Sequence, residues 1–93
     1  MKRLENYLDD AGRVEVYPSK SRTKLIVLRY LATKFDADRQ YSEAEVNELL
    51  RAQHTFEDWA LLRRDLFENG LLRRNRDGSV YWLAEAGPAE TQP

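Results

Sequence analysis

The stretch TFEDWALLRRDLFENGLLRRNRDGSVYWL, residues 55–83, constrains the fold more than any other part of the chain. Thr55 can cap a helix with its hydroxyl, and Glu57 and Asp58 place negative charge where a helix dipole favours it. Trp59, Leu62 and Leu66 recur at spacings of three and four and share one face. Gly70 suits the left-handed position after a last helical turn. Asp77-Gly78 is a turn signal between two runs of strand formers. The spacing therefore predicts a helix over 55–69, and strands over 71–75 and 80–83 paired antiparallel. A helix running directly into a hairpin is the second half of a winged helix-turn-helix, with the hairpin as its wing.

The first half of that unit can be read upstream. Ser42-Glu43-Ala44-Glu45 is a capping box, and Val46, Leu49 and Leu50 face inward on the helix it opens, 42–52. Gln53-His54 is then the turn of the helix-turn-helix. Pro18-Ser19 opens an earlier helix, with Ser19 as its cap, that runs to about Phe35. Leu25, Leu28, Ala32 and Phe35 form its stripe, with Val27 and Leu31 beside it, which marks it as the most buried helix. Residues 13–17 alternate, with Val14 and Val16 on one side, and read as a short strand. Gln40-Tyr41 reads as an extended pair and residues 2–8 as a short helix. The expected organisation is an N-terminal helical extension over 1–11, a winged-helix domain over 12–83 and a flexible tail over 84–93. The fold class is α+β, mainly helical.

Ninety-three residues, with no cysteine, suit a single domain in a reducing, cytoplasmic setting. No apolar run approaches a membrane span, and MKRLENYLDD is too acidic for a signal peptide. An enzyme is not expected. There is one histidine, His54, placed in a turn, and there is no nucleophile beside a base and no glycine-rich phosphate loop. No cofactor or metal is implied.

The net charge of −1 conceals segregation. Residues 18–35 carry five positive charges and none negative, whereas residues 36–58 carry two positive and seven negative. Lys20, Arg22 and Lys24 occupy the first turns of a helix, where the dipole disfavours cations, so a partner should offset them. A phosphate would do so, helped by Ser19, Ser21 and Thr23; nearby acids reached by the same side chains would do so too. Arg63, Arg64, Arg73, Arg74 and Arg76 form a second basic set, with Arg63 or Arg64 placed to approach a groove and Arg76 at the tip of the wing. Against this stand Glu57 and Asp58, whose carboxylates repel phosphates unless one accepts a bond from cytosine. Trp59, Phe67, Tyr81 and Trp82 are read as core, with Tyr81 and Trp82 on opposite faces of the wing.

Taken together, YPSK at 17–20, KLIVLRYLATKF at 24–35, YSEAEVNELL at 41–50, HTFEDWALLRRDL at 54–66, GLLRR at 70–74 and RDGSVYW at 76–82 resemble the prokaryotic domain of unknown function 2087. The resemblance covers about residues 12–83. It implies a role in transcriptional regulation, since members stand alone or are attached to helix-turn-helix regulators, but it supplies no ligand and no assigned residue. The family's basic stretch after the proline is diluted here to Lys20-Ser21-Arg22-Thr23-Lys24. Two readings stay open. One is a regulator that binds double-stranded DNA through Lys20, Arg22, Lys24, Arg63 or Arg64, and Arg76. The other is a protein-interaction or homodimerisation module of the same fold, built through the N-terminal helix and the acidic face of 42–52.

Overall fold

A computed structural model describes residues 4–84 of the chain. Its elements run in the order 3-10 turn Leu4–Tyr7, α1 Ser21–Ala32, β1 Tyr41–Ser42, α2 Glu43–Arg51, α3 Trp59–Glu68, β2 Leu72–Arg74 and β3 Val80–Leu83. The three strands make one antiparallel sheet in the order β1-β3-β2, with Tyr41 opposite Tyr81 and Arg73 opposite Trp82. The fold is α+β. Helix α3 is central, in contact with α1, α2 and β2.

The capping box forms as the sequence dictates. The Ser42 hydroxyl accepts from the Glu45 amide, and the Glu45 carboxylate accepts from the Ser42 amide at 2.8 Å. Those bonds hold the Glu45 carboxyl below the usual carboxylate range, led by the bond from the Ser42 amide. Ser42 also ends β1, so strand and helix meet at one residue. The far end of α3 is a Schellman motif: the Gly70 amide donates to Phe67 and the Leu71 amide to Leu66. Gly70 sits at φ +78°, which a residue with a Cβ adopts only at a cost.

The core joins Val27, Leu28 and Leu31 of α1, Val46 and Leu50 of α2, Leu62 and Leu66 of α3, and Leu72 and Tyr81 of the hairpin, all buried. Phe35 is buried edge-on against Tyr41, their ring centroids 5.2 Å apart. Phe35 lies beyond α1, however. The helix ends at Ala32, and the amides of Lys34 and Phe35 donate three residues back, a tightened turn rather than a further α-turn.

Other expected boundaries shift for identifiable reasons. α1 is capped by Lys20 rather than Ser19, and no side chain caps it. Residues 13–17 do not form a strand. Val14 alone bridges, antiparallel to Leu8 and parallel to His54, and Val14 is buried while Val16 is 49% exposed. The expected N-terminal helix is a 3-10 turn whose Tyr7 reaches the core; residues 2 and 3, at its expected start, lie outside the described residues. Of the expected tail, all but Ala84 lies outside them too.

The largest correction concerns α3. It begins at Trp59, four residues later than its sequence signals suggest, and its cap is Asp58, whose carboxylate accepts from the Leu61 amide. Bonds other than those of an α-helix claim residues 54–58 first, one long-range and one local. The Thr55 amide donates to the Val14 carbonyl, and the Asp58 amide donates to His54 Nε2 at 2.8 Å. Glu57 stands at φ +55°, in the left-handed region, so the backbone before Asp58 is not helical.

Candidate nucleic-acid interface

His54 sets the position of α3. It lies in the expected turn but is only 4% exposed, and both ring nitrogens are engaged in capping bonds to backbone. Nε2 accepts from Asp58, so Nδ1 carries the proton and donates to the Leu50 carbonyl at 2.6 Å. One ring thereby ties the end of α2 to the beginning of α3, and Phe56 packs edge-on against it at 4.6 Å. Across the same junction the Arg51 guanidinium lies 4.1 Å from the Trp59 ring centre.

Asp65 fixes the inner side of α3. It is 7% exposed, and its Oδ2 accepts from the Tyr17 hydroxyl at 2.6 Å. Burial and this bond push the Tyr17 hydroxyl's pKa upward. Lys24 Nζ lies 3.8 Å from the same carboxylate oxygen and 5.3 Å from the Tyr17 ring centre. Lys24 therefore has an acid for its partner, the second of the two ways in which a cation near the start of α1 can be offset. The side chains of Lys20 and Arg22 are exposed and have no such partner among the described residues.

With Leu62, Asp65 and Leu66 buried, Ala60, Arg64 and Phe67 form the outward ridge of α3. A hollow of about 590 Å³ lies between this ridge and the hairpin, lined by Asp58, Ala60, Arg63, Arg64, Phe67, Glu68, Arg74 and Tyr81. The arginines around it are not equivalent. Arg63 is half-buried, donates to Asn47 and lies 3.6 Å from Glu43, which ties α3 to α2. Arg74 rests over Phe67, 4.2 Å from its ring centre. Arg64 is exposed and has no hydrogen-bond, ion-pair or ring partner among the described residues.

The hairpin loop holds Arg76 outward. The Gly78 amide donates to the Asn75 carbonyl, and Gly78 takes φ +76°. Asn75 Oδ1 accepts from the amides of Ser79 and Val80, and Asp77 accepts from the Ser79 hydroxyl at 2.7 Å. That hydroxyl bond is the chief cause holding the Asp77 carboxyl below its ordinary range. The loop backbone is thus closed by its own side chains, and Arg76 stands exposed upon it. Arg73 is separated from the rest. It faces Trp82 across the hairpin and lines a different hollow with Ala37. Strand alternation, with period two, carries that division: Leu72 and Arg74 share one face and Arg73 the other.

The structure therefore brings Arg63, Arg64 and Arg74 to one hollow, with Arg76 on the adjoining loop. Lys20 lines a separate shallow hollow with Tyr7, Val16 and Pro18. Two participants were hidden from sequence reasoning. Phe67 reads as core but is half-buried under Arg74. His54 reads as a turn residue, and only its nitrogen distances reveal the clamp.

Among the described residues no helix is long and apolar enough to cross a membrane. No curated protein and no solved structure matches the chain significantly. One family model does match, over residues 13–83, and it is described as an uncharacterized protein conserved in bacteria. The chain belongs to that family, the domain of unknown function 2087.

Proposed function

We propose that this protein is a winged helix-turn-helix that binds double-stranded DNA and acts in transcriptional regulation. In this reading α2 and α3 are the helix pair, α3 enters the major groove and β2–β3 is the wing. The order helix, strand, helix, helix, hairpin, with β3 central in the sheet, supports the assignment. One observation carries it: Arg64 on the outward ridge of α3 and Arg74 of the hairpin line a single concavity, and the closed hairpin loop that follows Arg74 carries the exposed Arg76. Cations on a helix and an adjoining hairpin suit phosphates on either side of a groove.

The test is anisotropy titration of a labelled mixed-sequence duplex across a salt series. Three cations at the α3–hairpin face give a slope of log K against log salt near −2.7, or about a 40-fold loss between 50 and 200 mM. If Lys20 and Arg22 join the interface the slope steepens to about −4.5, and Lys20→Gln with Arg22→Gln restores the shallower value. No binding even at the lowest salt would refute the reading.

A protein-interaction module of the same fold is the second reading. The exposed side chains of Val16, at 49%, and Ile26, at 37%, favour it. The acids at the start of α3, Glu57 and Asp58, also favour it, since they repel phosphates. Association through apolar surface would change little with salt, the opposite of the DNA response.

A further inference from the structure

We infer that Arg64 is the base-reading residue of this interface and that it selects guanine. The inference rests on the proposed DNA reading and goes beyond it, because it assigns specificity to one side chain. Arg63 is committed to Asn47 and Glu43, and Arg74 lies on Phe67. Arg73 is on the opposite face of the hairpin, and Arg76 is carried on a loop outside the helix. Arg64 alone among these arginines combines a place on the ridge of α3 with a guanidinium that no described residue engages.

On a mixed-sequence duplex Arg64 counts as one of the three cations of the face; at a specific site its surroundings suit base contact better than phosphate contact. A major groove about 12 Å wide accepts a helix of about the same diameter, so only the outward ridge reaches base edges. One turn before Arg64 on that ridge is Ala60, exposed and small, which lets the helix approach closely. One turn after is Glu68, which lines the same hollow and makes no ion pair with Arg64. Asp58 lies at the other end of the hollow. Carboxylates at both ends weaken any general attraction for phosphate, whereas the planar fork of an arginine matches guanine O6 and N7 with two parallel bonds. Lysine cannot reproduce that fork.

The experiment is selection of duplexes from a randomised library by the wild type and by Arg64→Lys, Arg64→Ala and Arg76→Gln, each first checked for an unchanged thermal midpoint. The wild type is expected to enrich a motif with a fixed guanine. Arg64→Lys should keep its affinity for unselected DNA at low salt within about twofold, while its preference for that guanine drops roughly 5- to 150-fold. Arg64→Ala should lose the preference as well, and Arg76→Gln should bind every sequence more weakly with the motif intact. Wild-type binding without a guanine-containing motif, or the same motif from Arg64→Ala, overturns this inference and leaves DNA binding standing. Failure of the wild type to bind any duplex overturns both.

Discussion

Replacing His54 by alanine removes the clamp between α2 and α3, and the structure sets the size of the loss. Two hydrogen bonds disappear, to the Leu50 carbonyl and from the Asp58 amide, each worth about 1 kcal/mol net. The Leu50 carbonyl keeps the Gln53 amide as a partner, so little further cost arises there. The edge-on packing against Phe56 adds about 1 kcal/mol. The sum is about 3 kcal/mol, which for a domain of this size lowers the thermal midpoint by about 12–24 °C. Far-UV circular dichroism melts measure it directly. Glutamine can place an acceptor near the Nε2 position and asparagine a donor near Nδ1, so each should recover about half. DNA binding by His54→Ala should also weaken at temperatures where it remains folded, because the start of α3 is no longer fixed. An alanine variant within about 1 kcal/mol of the wild type would refute the clamp.

Glu57→Gly relieves a left-handed backbone and should raise stability by about 0.5–1 kcal/mol, read as an increased urea midpoint. Ser42→Ala should cost about 1 kcal/mol in the same assay, since it removes half of the capping box. Glu45→Gln keeps the capping geometry but removes the charge. The folded protein holds Glu45 below its ordinary pKa of 4.5, so its stabilisation is present above that value and lost as pH falls through the lower folded one. The difference in thermal midpoint between wild type and Glu45→Gln at pH 7 should therefore close below about pH 4.5. Leu66→Ala, at a fully buried site of α3, should cost about 2–5 kcal/mol in chemical denaturation.

Local chemistry made some elements legible in advance and tertiary contacts displaced others. The box at Ser42 and Glu45 needs only residues three apart, and Gly70 needs only the preceding turn; both stand where their spacing places them. Asp77-Gly78 likewise forms its turn from neighbours. Thr55 and Glu57 carry equally good helix-start signals, yet Val14 takes the Thr55 amide and His54 takes the Asp58 amide, both from outside the helix. The candidate site divides in the same way. That arginines concentrate on α3 and the hairpin is a property of the sequence. Which of them are free is not, because the answer depends on Asn47 and Glu43 from α2 and on Phe67 beneath the hairpin.

The sequence by itself determined the succession from α1 to the hairpin and the segregation of charge, since these follow from periodicity and from bonds within a few residues. Only the tertiary structure decided where α3 begins, that Lys24 pairs with Asp65, and that Arg64 is left without a partner among the described residues. Tyr17 and Asp65 are 48 positions apart, and no short-range pattern encodes their meeting. Such pairs are settled when a buried polar group must find a partner wherever the packed elements bring one.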